Sequence, residues 1–201
     1  LEVEWLGLRG YRDVHLYQQR CVEERLAGRI VDRLLLVEHP PVFTLGRRRG
    51  AMDNVLTPGE AEVIQVERGG DVTWHGPGQL VGYPIVSLRE EEGERDLHQV
   101  LRRLEAAMIE VLSRCGLEGG RRPKYTGVWV NGRKLVSLGI AVKQWTTYHG
   151  FALNVDCDLS WFARINPCGL ESDVMGSIKS LGGDVLHRSS SALQSWRLLE
   201  M

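Results

Sequence analysis

Residues 68–84 read Arg-Gly-Gly-Asp-Val-Thr-Trp-His-Gly-Pro-Gly-Gln-Leu-Val-Gly-Tyr-Pro, and few stretches restrict a backbone so heavily. Gly69, Gly70, Gly76 and Gly78 admit positive φ or a close approach of main chain to a ligand, while Pro77 fixes its own φ and restricts Gly76. The run carries Arg68, Asp71, Thr73, His75 and Gln79 and passes directly into residues 80–86, an apolar stretch that reads as a buried strand. A polar loop joined rigidly to a core strand is a means of presenting binding residues. The run lacks G-x-x-x-x-G-K-[ST] and does not place G-x-G-x-x-G at the start of a helix. Its expected ligand therefore lies in a groove of main chain and strand ends, not on a helix terminus.

The flanking sequence supplies the rest of an α+β pattern. Residues 2–8 alternate as a strand, and residues 11–29 place Val14, Tyr17, Cys21, Val22 and Leu26 near helical spacing. Residues 34–37, 42–45 and 61–66 read as strands, with His39-Pro40-Pro41 as a break and Arg47 to Arg49 as a basic turn. Asp96 is an N-cap with Gln99 at the capping-box position, Leu97 to Leu112 form one apolar stripe, and Gly116 closes that helix. Asn131-Gly132 predicts a type I′ hairpin joining residues 127–130 to 134–142. A strand over 148–155 and a closing helix over 190–200 complete the chain. Strands cluster without strict β-α alternation, which predicts a mixed, largely antiparallel sheet with helices packed on one face.

At 201 residues, with 43% hydrophobic and 25% charged residues, the chain is expected to form one domain over 1–201. A net charge of −1 excludes general affinity for nucleic acid. No apolar run approaches the roughly 20 residues of a membrane span, and the N-terminus lacks the order of a signal peptide, so a cytoplasmic location is expected. Cys21, Cys115, Cys157 and Cys168 are too scattered for a zinc site or a disulfide framework.

Candidate chemistry centres on two residues. Cys168 stands in Asn166-Pro167-Cys168-Gly169, where proline and glycine exclude a regular element; the thiol is either a nucleophile on a shaped loop or a small hydrophobe in a turn. Alternation along the hairpin puts Lys134 with Val136, Leu138, Ile140 and Val142, so its amine either snorkels from the strand end or is partly desolvated beside a thiol. His75 and His149 are each an acid-base group, a substrate contact or a structural anchor. No histidine pair has metal-ligand spacing, and no metal is expected. The charge runs Arg47 to Arg49 and Glu90 to Glu94 read as solvated turns, the first also as a docking patch for an acidic partner.

Together, the motif at 68–85, G-R-K-L-V-S-L-G-I at 132–140, Y-H-G-F-A-L-N-V at 148–155 and N-P-C-G at 166–169 closely resemble the lipoyl(octanoyl) transferase family. P-P-V-F-T-L-G-R at 40–47 extends the resemblance over nearly the whole chain. The resemblance implies the catalytic-domain fold of biotin and lipoate protein ligases. It implies transfer of an octanoyl group from octanoyl-acyl carrier protein to a lysine of lipoyl domains, on 2-oxoacid dehydrogenase E2 subunits and glycine cleavage H protein, with no cofactor. Cys168 would carry the acyl group as a thioester, and Lys134 would activate the thiol and shuttle protons. Arg68, Gly69, Gly70, Asp71, Val72, Thr73, Trp74, His75, Ser137, Leu138, Gly139, Gly150, Phe151 and Ala152 would line the acyl site, with His149 a further contact. Gly176 stands where the family commonly has threonine. Two other readings remain: an ATP-dependent ligase, which needs no cysteine, and an acyl-binding module without chemistry.

Overall fold

The computed structural model describes residues 1–88, 95–166 and 174–184. Cys168, the acidic run at 90–94 and the expected helix over 190–200 lie outside the described residues. The main sheet has seven strands: β1 (Glu2–Leu8), β2 (Arg33–Glu38), β6 (Gln79–Ile85), β10 (Thr146–Asn154), β9 (Arg133–Lys143), β8 (Tyr125–Val130) and β7 (Gly120–Arg122), in that spatial order. Within this sheet, among the described residues, only β1 and β2 pair in parallel, across the crossover helix α1 (Tyr11–Leu26); the other neighbours run antiparallel. The remaining strands, β3 (Val42–Leu45), β4 (Glu62–Gln65) and β5 (Val72–His75), form a small sheet of order β4-β3-β5. The sheets are thus mixed and largely antiparallel.

Among the described residues the two α-helices occupy opposite faces of the large sheet, not one. Leu34 and Leu36 of β2 join Phe151 and Leu153 of β10 in the core under α2 (Leu97–Arg114), whereas Leu35 and Val37 join Val81, Tyr83 and Ala152 under α1. The cause is visible in β2, whose Leu-Leu-Leu-Val run is apolar at every position and therefore needs cover on both sides. Helix α2 starts where Asp96 accepts hydrogen bonds from the N–H groups of His98 and Gln99. Gln99 does not return the capping-box bond; its side chain accepts from Arg103 instead. The helix stops at Gly116, whose φ of 76° lets Leu117 N–H reach Leu112 O and Gly116 N–H reach Ser113 O.

Asn131 and Gly132 take φ of 48° and 78°, the left-handed pair that a type I′ turn requires. The glycine-rich segment is less of a loop than its composition suggests. Residues 72–75 are a strand, β5, which pairs with β3 and carries Trp74 into a cluster with Phe43, Trp161 and Phe162.

Asp96→Ala should remove the cap of α2 at a cost of about 1 kcal/mol. Thermal unfolding should then show a Tm lower by roughly 2–4 °C. An unchanged Tm would mean that the first turn of α2 is held by its packing alone.

Candidate active site

Lys134 owes its position to a bulge. Between β8 and β9 the pairing steps from Val128–Val136 to Trp129–Lys134, so β9 advances two residues while β8 advances one. Leu135 and Val136 both enter the core under α2, and Lys134 turns to the opposite face of the sheet. The alternation that would group Lys134 with Val136 is therefore broken. On its own face Lys134 Nζ stands 5.9 Å from the centre of the Trp129 ring, its cross-strand neighbour. A Cβ at Gly127 would clash with Val136 O, and its φ is 135°, so the backbone there needs glycine; the same Cβ would stand 2.7 Å from Lys134 Cε, in the space the lysine stem takes. Gly127 N–H donates to Glu105 Oε1 at 3.0 Å. Burial pushes the Glu105 carboxyl up, but that bond together with Arg102 and Arg121 outweighs it and holds the group below its ordinary value. On the other side Lys134 bridges to Met175, and its carbonyl accepts from Gly176 N–H.

The segment at 68–71 is laced to its surroundings by main chain. Arg47 N–H donates to Arg68 O, Arg48 N–H to Gly70 O, and Gly46 N–H to Asp71 O, while Gly69 N–H reaches Ile140 O on β9. The Asp71 carboxylate is buried and receives both bonds from Asn54 Nδ2 and the N–H of Val72, with Arg48 at 3.4 Å. The Arg68 guanidinium is also buried and donates to Thr44 O and Thr44 Oγ1 at 2.7 and 2.9 Å.

From Thr44 a chain of buried polar groups crosses the molecule. Thr44 Oγ1 meets His75 Nε2 at 3.3 Å, and His75 Nδ1 meets Gln79 Oε1 at 2.7 Å. Gln79 Nε2 donates to Trp74 O and Asn154 Oδ1, and Asn154 Nδ2 donates to Gly176 O. Because Gln79 Oε1 can only accept, His75 carries its proton on Nδ1 and accepts at Nε2. A second pair stands beside it: His39 Nδ1 donates to Arg9 O and its Nε2 accepts from the Tyr83 hydroxyl, each at 2.8 Å. Burial lowers His75 to about 3 and His39 and His149 to about 4, so all three rings are neutral near pH 7.

These elements enclose a cavity of about 500 Å³. Its lining includes Arg68, Gly69, Gly70, Asp71, Val72, Thr73 and His75 from the glycine-rich segment and β5, and Lys134, Ser137, Leu138 and Gly139 from β9. Gly150, Phe151, Ala152 and His149 of β10 complete the set of sequence candidates that it brings together. Trp74 is not among them; it is buried beneath β5, stacked 5.7 Å from Trp161. The cavity also takes Tyr11, Val81, Tyr83, Ile140 and Met175. Alternation along β6 pairs Val81 with Tyr83 on one face, but no local pattern ties Tyr11 or Met175 to the site. Such a space, with mostly uncharged walls, suits a flexible apolar chain.

The lipoyl protein ligase A/B catalytic domain model matches residues 11–191. An octanoyltransferase of Rubrobacter xylanophilus is 48% identical over 187 residues, covering 89% of this chain and 83% of the relative. One of Syntrophotalea carbinolica is 43% identical over 206 residues, covering 98% and 96%. Among solved structures, lipoate-protein ligase A bound with ATP superposes with a TM-score of 0.72 at 12% identity, covering 98% of this chain and 82% of that one. A structure from a study of a bipartite lipoate protein ligase and its E2 lipoyl domain from Thermoplasma acidophilum gives 0.67 at 14% identity, covering 97% and 79%. At such identities the structural likeness shows the fold, that of lipoate ligase catalytic domains.

The neutral histidines set a pH window. Their pKa values fall on folding, so below about 6.5 the unfolded chain binds protons that the folded protein refuses. The contribution of these histidines to stability is complete above pH 6.5 and is lost as pH falls towards 4, with a slope of at most about 1 kcal/mol per pH unit for each. Urea unfolding compared at pH 7 and pH 5 should show that loss, and His75→Gln should remove about one histidine's share. A slope identical in the variant would show that His75 is not held neutral by the fold.

Proposed function

Because the chain belongs to the lipoyl protein ligase A/B catalytic-domain family, we propose that it transfers an octanoyl group from acyl carrier protein to the lysine of lipoyl domains, through a thioester on Cys168. Octanoyl transfer follows from relatives of 42–50% identity named octanoyltransferase over most of the chain. The observation that carries the mechanistic reading is that Lys134 shares the lining of one cavity with the Arg68–Thr73 segment and with Ser137–Gly139 and Gly150–Ala152. Full burial of the acyl chain there would contribute about 0.8 kcal/mol per methylene.

The reaction closes on itself with two side chains. The Cys168 thiolate attacks the carbonyl of the carrier-bound thioester, and the tetrahedral intermediate expels the phosphopantetheine sulfur. The Lys134 ammonium protonates that sulfur and becomes an amine. A lysine of the lipoyl domain then attacks the Cys168 thioester, Lys134 takes the surplus proton from the new amide nitrogen, and the Cys168 thiolate departs. Thiolate and ammonium are regenerated together, so no external acid or base is consumed. Support for the pairing comes from both ends of the segment that holds Cys168: Asn166 N–H is bound to Asn54 O, and Met175, in the cavity lining, bridges to Lys134.

Incubation with octanoyl-acyl carrier protein without ATP should add one octanoyl group to the protein by intact mass, and Cys168→Ala should abolish the adduct. An adduct that survives in Cys168→Ala, or none in the wild-type protein, overturns the thioester route. Lys134→Ala should slow acylation at least tenfold at pH 7 and regain part of the rate as pH rises and more thiolate forms. A pH-independent loss would make Lys134 a positioning residue only.

A further inference from the structure

Outside the polar chain that crosses the core, three residues distant in sequence converge at the edge of the cavity. His15 lies on α1, Glu67 follows β4 and immediately precedes Arg68, and His149 lies on β10. Glu67 Oε2 is 3.0 Å from His15 Nε2 and 3.4 Å from His149 Nε2, and the donor atoms of all three lie within 4.8 Å of one another. A tetrahedral metal with bonds of about 2.0–2.2 Å has donor-donor edges of about 3.4 Å. The trio is therefore close to ligand geometry before any metal enters.

The group is partly preorganised. The two imidazole rings stack at 5.4 Å and 27°, and His149 packs on Tyr148 at 4.9 Å and edge-on to Tyr83 at 6.4 Å. His149 has a φ of 55°, a left-handed backbone rarely adopted by a residue with a side chain, and its N–H is fixed by Gln18 Oε1 at 2.9 Å. Exposure grades across the trio: the His149 side chain is 1% exposed, His15 16% and Glu67 46%, so solvent reaches the group from one side. The nearest competing contact is Gln19 Nε2, 3.4 Å from His15 Nε2.

We propose that His15, Glu67 and His149 form a binding site for a zinc-class divalent cation, with an open fourth position. Two imidazoles and one carboxylate are a borderline nitrogen-oxygen set, which suits zinc and its neighbours and not magnesium or calcium, whose sites are built from oxygen. The electrostatics select in the same direction. A single carboxylate is a poor trap for a cation held by charge alone, so affinity must come from the imidazole nitrogens. The bound cation would fasten α1, the approach to Arg68 and β10, three elements that frame the cavity. The proposal is independent of Cys168 and of the acyl-transfer reading.

Chelator-treated full-length protein titrated with ZnCl₂ by calorimetry and native mass should bind one zinc per chain with a rise in Tm. His15→Ala and Glu67→Gln should each weaken that binding at least tenfold while circular dichroism stays unchanged. Cobalt(II) should give visible d–d absorption without thiolate charge transfer. If a variant loses its fold, the cobalt spectrum of the wild-type protein decides, because a charge-transfer band would assign the metal to cysteine and overturn the site. Absence of saturable binding, or wild-type affinity in either correctly folded variant, overturns it as well.

Discussion

The buried hydrogen-bond chain from Arg68 through Thr44, His75, Gln79 and Asn154 to Gly176 is the constraint on which the arrangement around the cavity depends. It joins the approach to β5, the small sheet, the start of β6, the end of β10 and the strand-like segment beside Lys134. Every member is buried, so a group left without its partner would cost about 1–3 kcal/mol. Each link also sets the direction of the next, since the amide of Gln79 can be satisfied in one orientation only. Hydrophobic packing is non-directional and does not by itself fix the small sheet against the large one. This line of polar contacts fixes where it sits, and with it the wall formed by residues 68–73.

Charge is deployed sparingly against that background. His39, His75 and His149 are kept neutral by burial, and the carboxylates of Asp71 and Glu105 are saturated by amides and arginines. Glu105 holds Gly127, and Gly127 leaves space for the stem of Lys134. The ammonium is thus placed by a carboxylate that does not pair with it.

Much of the fold is legible in the sequence wherever one physical signal dominates. Asn131-Gly132, Asp96 and Gly116 each mark a boundary because only particular residues tolerate those backbone positions. The helices are harder to place: the Leu-Leu-Leu-Val run of β2 calls for cover on both faces but does not say which element supplies it on either. The glycine-rich segment hides β5 because glycine and proline at its ends outweigh four residues of strand between them. Most of the lining of the cavity was readable from motifs, but Trp74 was not separable from its neighbours, since a large aromatic beside binding residues is equally at home in a core. His15, Glu67 and His149 were invisible as a group, being brought together only by tertiary packing.

The bulge in β9 carries a further implication for how this hairpin can vary. Because strand geometry has a period of two, one surplus residue works as a parity bit: with it the amine at 134 faces the cavity, and without it the same amine would be driven into the core under α2. Substitutions along the hairpin can accumulate one at a time. Insertions and deletions there are admissible only in pairs, so the length of this hairpin is more tightly fixed than the identity of most residues in it.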